Sequence, residues 1–333
     1  MSKADAAASI LWVGATFYAL FGGADFGGGF WDLVAGWDEK GQRPRDVIQR
    51  SLTPVWEANH VWLIFVLVVL WTAFPPAFSA IFTTLYVPIA LAALGIVLRG
   101  AGFAFRKSIV GLRERRAMGA TFAISSVLTP FFMGTVVGAI AAGNVPAEGN
   151  GDAFSSWIQP LPLLIGAMFV ASGAYLAAVF LVGDARRGDH EMENYFERRA
   201  LGAAVVAGAF AAAGLVALHS EARYVFDRLT AEGLPLVVLS LLCGAALLVV
   251  LLRGGRRPLR PLAAGAVIAV VWGWGVAQFP YLLPTSLRID QAAAPDATMT
   301  IVFIVFAIAA VVVLPSLGLL YTLAQKDLLD AEH

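Results

Sequence analysis

The sequence predicts an all-α, polytopic membrane protein of nine transmembrane helices, with the N-terminus outside and the C-terminus cytoplasmic. Three observations predict it. First, 59% of the 333 residues are hydrophobic and only 14% are charged, against about 45–50% and 25% in ordinary soluble domains. Second, nine apolar runs are each long enough to cross a hydrocarbon core of about 30 Å as a helix, and none alternates as a barrel strand would. Third, nineteen of the 23 Lys and Arg residues fall on one side of that nine-span topology, the side kept in the cytoplasm by the positive-inside rule.

The spans lie at about 8–36, 54–74, 77–98, 118–142, 160–183, 200–219, 234–252, 259–278 and 299–323. The first exceeds the usual length of a signal peptide and lacks a basic leader, so it is expected to stay as a helix. Thr53 and Pro54 supply a cap and a first-turn proline for the second. Pro75-Pro76 marks a tight outer turn to the third, making the two antiparallel neighbours. The Arg-rich stretch from Arg99 to Arg116 reads as an inner connection, whose charge is explained by topology and contact with anionic lipid headgroups. Arg99 stands apart at the membrane-facing end of span three. Further connections at 37–53, 143–159 and 184–199 are too short for a soluble domain. The stretch 278–297, "QFPYLLPTSLRIDQAAAPDA", is Pro-interrupted and partly apolar, and is expected to lie against the membrane or a partner.

The chain thus reads as a single integral-membrane domain, 1–333, with approximate halves 1–142 and 160–278 and a trailing helix at 299–323, although no internal repeat marks the division. Zero net charge removes any argument for nucleic acid from overall charge. Cys243 is the single cysteine; inside span seven it serves packing and forms no internal disulfide.

Twenty of the 23 acidic residues fall in loops or tails, leaving Asp25, Asp32 and Glu57 within spans. Ionisable groups are expensive in lipid and tend to face a protein interior or a wet cavity. Asp25 lies in "FGGADFGGGFWD", whose glycines allow a neighbouring helix to approach closely or the helix to open around a polar group. Asp32 follows seven residues later on nearly the same face, about 10 Å along the axis. That spacing suits a proton relay, and an interfacial anchor is the plainer alternative. Glu57, in "SLTPVWEANHVWLIF", is near the start of span two, where the helix dipole alone favours a carboxylate by about 0.3–1 kcal/mol. His60 lies one turn deeper on a similar face, within reach of Glu57. Trp56 and Trp62 flank the cluster as packing or interfacial aromatics, and Asn59 completes it. A haem would need axial ligands at suitable depth; His60 is the one histidine well inside a span, so haem ligation within this chain is not the favoured reading.

Together, "FYALFGGADFGGGFWDLVAG", "SLTPVWEANHVWLIF", "RGAGFAFR" and "FPYLLPTS" resemble subunit II of the cytochrome bd-type quinol oxidases, and the likeness extends over essentially the whole chain. The resemblance implies an integral heterodimer in a bacterial cytoplasmic (inner) membrane, in which a haem-bearing subunit I holds haems b and d and the quinol site. The complex would oxidise quinol and reduce dioxygen to water. Subunit II would be the non-haem half, folded as two four-helix bundles plus one helix. It would support subunit I, contribute proton or dioxygen access and hold a structural quinone, with a small accessory subunit and membrane lipids as further partners. Asp25, Trp56, Glu57, Asn59, Trp62 and Arg99 match the family's motif positions. Glu57-Ala58 stands where many members carry aspartate and glycine, and His60 where glutamine or glutamate is common. The expected proton route comprises Glu57 as entrance acid, Asp25 and Asp32 as relays and His60 as modulator, with Trp56, Asn59, Trp62 and Arg99 in support. No catalytic residue or metal ligand is expected in this chain. The competing reading is a proton-coupled secondary membrane transporter, which also places carboxylates in glycine-broken helices near mid-membrane.

Overall fold

The first span is one long helical rod with a defect in it. In the computed structural model, which describes residues 2–36, 39–52, 56–108, 112–186, 190–255 and 257–325, helix α1 (Lys3–Phe17) passes through a single π-helical turn (Tyr18–Gly22) into α2 (Gly23–Val34). Ser2 starts it with a capping box: its hydroxyl accepts from the Asp5 amide at 3.1 Å, and the Asp5 carboxylate accepts from the Ser2 amide at 3.0 Å. This satisfies donors that a helix N-terminus otherwise leaves open.

The next segment departs from expectation. Residues taken as an inner loop form α3 (Glu39–Leu52), because a polar sequence there keeps Val47 and Ile48 on the face that it buries. α3 packs on α2 and on two later helices, α8 (Pro160–Ala185) and α9 (His190–Glu221).

Helix α4 (Trp56–Ala73) then meets α5 (Pro75–Thr84) at an angle of 117°. Phe74 is the joint, and two prolines fill the first positions of α5, where no backbone donor is needed. The third span therefore does not run from 77; it is α6 (Tyr86–Ser108). Pro88 has no N–H to offer the Thr84 carbonyl, so the helix breaks at Leu85 and restarts. Hydropathy is continuous across this break and cannot reveal it. The shift carries Arg99 from a membrane edge into a helix interior, and most of the expected 99–117 connection is helical.

The remaining elements are α7 (Leu112–Ala141), α8, α9, α10 (Arg223–Thr230), α11 (Leu234–Leu252), α12 (Leu259–Gln278), β1 (Tyr281–Leu283), β2 (Leu287–Arg288), α13 (Ile289–Ala292) and α14 (Asp296–Gln325). α9 begins ten residues before the expected span, at His190, absorbing most of the connection drawn at 184–199. Among the described residues eight helices are long and apolar enough to cross a membrane, or nine if the bent α4–α5 pair is one span. The chain is a multi-pass, all-α membrane protein; among the described residues its strands are the short β1–β2 hairpin, and 142–159 is a non-helical connection. That hairpin turns through Pro284 and Thr285, the latter left-handed at φ 62°, in the third position of a turn where a positive φ is required. The 278–297 stretch lies on this chain's own helices: Leu282, Leu283, Leu287, Ile289 and Ala292 are buried in a core shared with α1, α4 and α5. Phe279, Thr285, Arg288 and Asp290 face outward from the same stretch.

α2 is held between α7 and α8. A Cβ on Gly27 would collide with the backbone of Gly173 in α8, and one on Gly173 would come within 2.7 Å of the Gly23 carbonyl oxygen. Trp31 spans the same seam, donating from Nε1 to the Ala174 carbonyl at 2.8 Å. These glycines therefore serve close helix approach, as small residues do in membrane interiors where hydrophobicity gives no drive between helices. Gly27→Ala is expected to destabilise the solubilised protein by about 1–3 kcal/mol through overpacking. Gly202→Ala, in α9 with open space around the new methyl, should be neutral or stabilising by up to about 1 kcal/mol. Thermal melts of both variants beside the parent check the contrast.

Candidate functional site

Asp25 sits in the first turn of α2, just past the π turn, and is buried. Its partner is Arg99 of α6: Nη2 donates to Asp25 Oδ1 at 2.8 Å and to the Asp25 carbonyl at 3.2 Å. The two side chains are 0% and 2% exposed. Nε of Arg99 donates to Ser126 Oγ of α7 at 2.9 Å, and that hydroxyl donates in turn to the Phe122 carbonyl at 2.6 Å. The guanidinium also lies 5.0 Å from the Phe26 ring centroid and 4.8 Å from that of Phe122, a geometry in which aromatic faces attract a cation. Gly29 leaves the room that Ser126 occupies, since a Cβ there would overlap it. One ion pair thus ties three helices together, and each glycine beside it makes a specific approach possible. Asp25 Oδ2 has no hydrogen-bond partner among the described residues.

Phe26 links this pair to α4. His60 of α4 lies near the same ring, with centroids 6.0 Å apart, so Asp25, Arg99 and His60 gather around one aromatic ring. Asn59 is buried one residue before His60. Trp62 is buried too, stacked on Phe17 at 4.3 Å and edge-on to Phe65 at 6.3 Å, which is a packing role. Trp56 and Glu57 open α4, but their side chains lie outside the described residues.

Asp32, on the same face of α2 as Asp25, is buried and not at a wet interface. α3 closes over this end of α2 and carries a buried arginine, Arg45, while α9 contributes a buried glutamate, Glu193. None of these three is left without a partner, as expected of ionisable groups taken out of water. Glu193 Oε2 lies 3.2 Å from Nδ1 of the exposed His190. Arg199 covers the Tyr195 ring at 3.2 Å and reaches the Trp31 ring at 5.9 Å.

The structure therefore brings Asp25, Arg99 and His60 together and continues the buried polar face of α2 to Asp32. Ser126, Arg45 and Glu193 are members of this polar interior that sequence reasoning passed over. Ser126 carried a faint signal as one of two adjacent serines in span four. Arg45 and Glu193 had none, because both stood in segments read as loops.

Removing one member of a buried ion pair leaves the other uncompensated, at a cost of about 3–5 kcal/mol, whereas removing both can be nearly neutral. Asp25→Asn and Arg99→Gln should each destabilise strongly. The double variant should recover much of the loss, giving a large coupling energy in a thermal-melt cycle; additive single effects would show that the pair is not the unit of stability.

The sequence matches the cytochrome bd terminal oxidase subunit II family over residues 4–324. It is 25% identical over 323 residues to a cytochrome bd ubiquinol oxidase subunit 2 of Bacillus subtilis (strain 168), covering 92% of this chain and 89% of that one. It is 28% identical over 181 residues to the cytochrome bd-I ubiquinol oxidase subunit 2 of Escherichia coli (strain K12), covering 50% and 46%. The fold superimposes on a chain of the bd oxidase of Geobacillus thermodenitrificans with a TM-score of 0.78 at 23% identity, over 97% of this chain and 98% of that one. With a family match over almost its full length, this chain belongs to the cytochrome bd terminal oxidase subunit II family and is a subunit of a terminal quinol oxidase complex, an oxidoreductase.

Proposed function

We propose that this subunit supports a haem-bearing subunit I and supplies part of the route by which protons reach it while the complex oxidises quinol and reduces dioxygen to water. Family membership favours this over the transporter reading. It also implies haems in a partner subunit, which we take to be haems b and d; they would supply electron transfer and dioxygen activation.

The observation that carries the proposal is a single helix, α2, with two carboxylates buried on one face, about 10 Å apart along its axis. In this reading Glu57 admits protons at the cytoplasmic end of α4, Asp32 and Asp25 relay them, and His60 tunes the exchange. Arg99 and Asn59 fix the geometry, and Trp56 and Trp62 pack around it. Asp25 also accepts from a fixed cation at 2.8 Å, so its structural and relay roles are to be separated by experiment. The wider assembly follows the family: a bacterial cytoplasmic membrane, an outside N-terminus and cytoplasmic C-terminus, one integral domain with halves 1–142 and 160–278, a structural quinone and a small accessory subunit.

The test uses the intact complex. Asp32→Asn and Glu57→Gln are each expected to lower quinol-driven oxygen consumption about tenfold or more, a modest share of what positioned proton transfer contributes, with the haem spectrum unchanged. Normal turnover and normal charge movement in both variants would end the relay role. Loss of haem content together with rate would assign these residues to assembly instead.

A further inference from the structure

At the end of the molecule where the Arg-rich connections gather, a cavity of about 200 Å³ opens between the end of α8 and the start of α12. Its apolar floor is Val179, Val182 and Leu259, and its rim carries Arg186, Arg257 and Arg260. The three arginines are not equivalent. Arg260 is built into the wall: Nη2 donates to Asp184 Oδ1 at 2.6 Å and to the Phe180 carbonyl at 2.9 Å. It lies across Gly183, where a Cβ would come within 2.8 Å of the same nitrogen. Asp184 neutralises it.

Arg186 and Arg257 are exposed and make no ion pair among the described residues. Among the described residues, therefore, two positive charges stand without a counter-charge at the mouth, joined by the positive end of α12, which begins at Leu259. Pro258 and Pro261 line the same mouth and have no N–H, so recognition of an anion falls to the guanidinium groups, which match phosphate geometry with paired donors.

We propose that this cavity binds the phosphodiester headgroup of an anionic phospholipid, with its first acyl carbons over the apolar floor. Two features favour a lipid over a soluble anion. Both flanking helices are membrane spans that end here, placing the mouth at headgroup level. The floor is hydrocarbon, which a free phosphate would leave uncovered. Basic pockets between spans at the cytoplasmic face are of the kind that hold such headgroups. The inference is independent of the proton-route reading.

The probes are dioleoylphosphatidylglycerol and dioleoylphosphatidylcholine added to the delipidated, purified complex, with retained lipid counted by native mass spectrometry. Phosphatidylglycerol should be retained in preference to phosphatidylcholine. Arg186→Gln/Arg257→Gln should reduce that preference about tenfold or more, whereas Arg253→Gln, an exposed arginine after α11 and outside the cavity, should leave it intact. Undiminished preference in the double variant overturns the proposal, as does an equal loss in Arg253→Gln. Displacement of phosphatidylglycerol by millimolar inorganic phosphate would show a simple anion site and would equally overturn it.

Discussion

A carboxylate and a guanidinium that meet in a buried interior leave a chain little choice in how its helices assemble. Isolated, either charge would be costly in hydrocarbon, so each must find the other before the bundle is complete. Asp25 arrives on the first span, Arg99 on the third and Ser126 on the fourth, and their meeting fixes the rotation and depth of all three helices at once. Apolar packing alone is permissive about such slips, because lipid satisfies a leucine as well as a neighbouring helix does. The ion pair supplies specificity that greasy surfaces lack.

The surroundings of the pair show how backbone and side chains share that task. Gly27 and Gly173 bring α2 against α8, and Gly29 admits Ser126. Phe26 then lies close to both Arg99 and His60, connecting α6 through α2 to α4. Toward the other end of the polar face, α3 packs on α2 and carries buried Arg45, while α9 carries buried Glu193. Buried charge in this part of the chain thus sits on helices, in segments that look like loops in the sequence.

Much of the architecture could be read from residue order because spans seven and eight are long apolar runs with clear ends, at 234–252 and 259–278, and these ends coincide with α11 and α12. The first failures came where apolar character continued through a change of direction. Residues 75–98 hold no polar interruption strong enough to signal a bend, so the α5–α6 break, set by the backbone chemistry of Pro88, stayed hidden. The second came where charge density was equated with loop: α3 and the start of α9 are polar on one side only, and their buried sides are narrow. For the same reason Asp25 was legible as a site residue, being a lone acid among glycines, while its counter-ion was read as an edge residue. A cation one residue past the expected end of a span could not announce a buried partner on a different helix.

The π turn at Tyr18–Gly22 has a final geometric effect. Five residues are wound there where an α-helix would use about four, so everything downstream is turned by roughly 100°, the angle one residue subtends. Were the same residues wound as regular α-helix, α2 would keep its sequence and its length but would present both aspartates to a different neighbour, away from Arg99. The direction of the whole polar face is thus set by how a single surplus residue is wound, one turn before the first charge it orients.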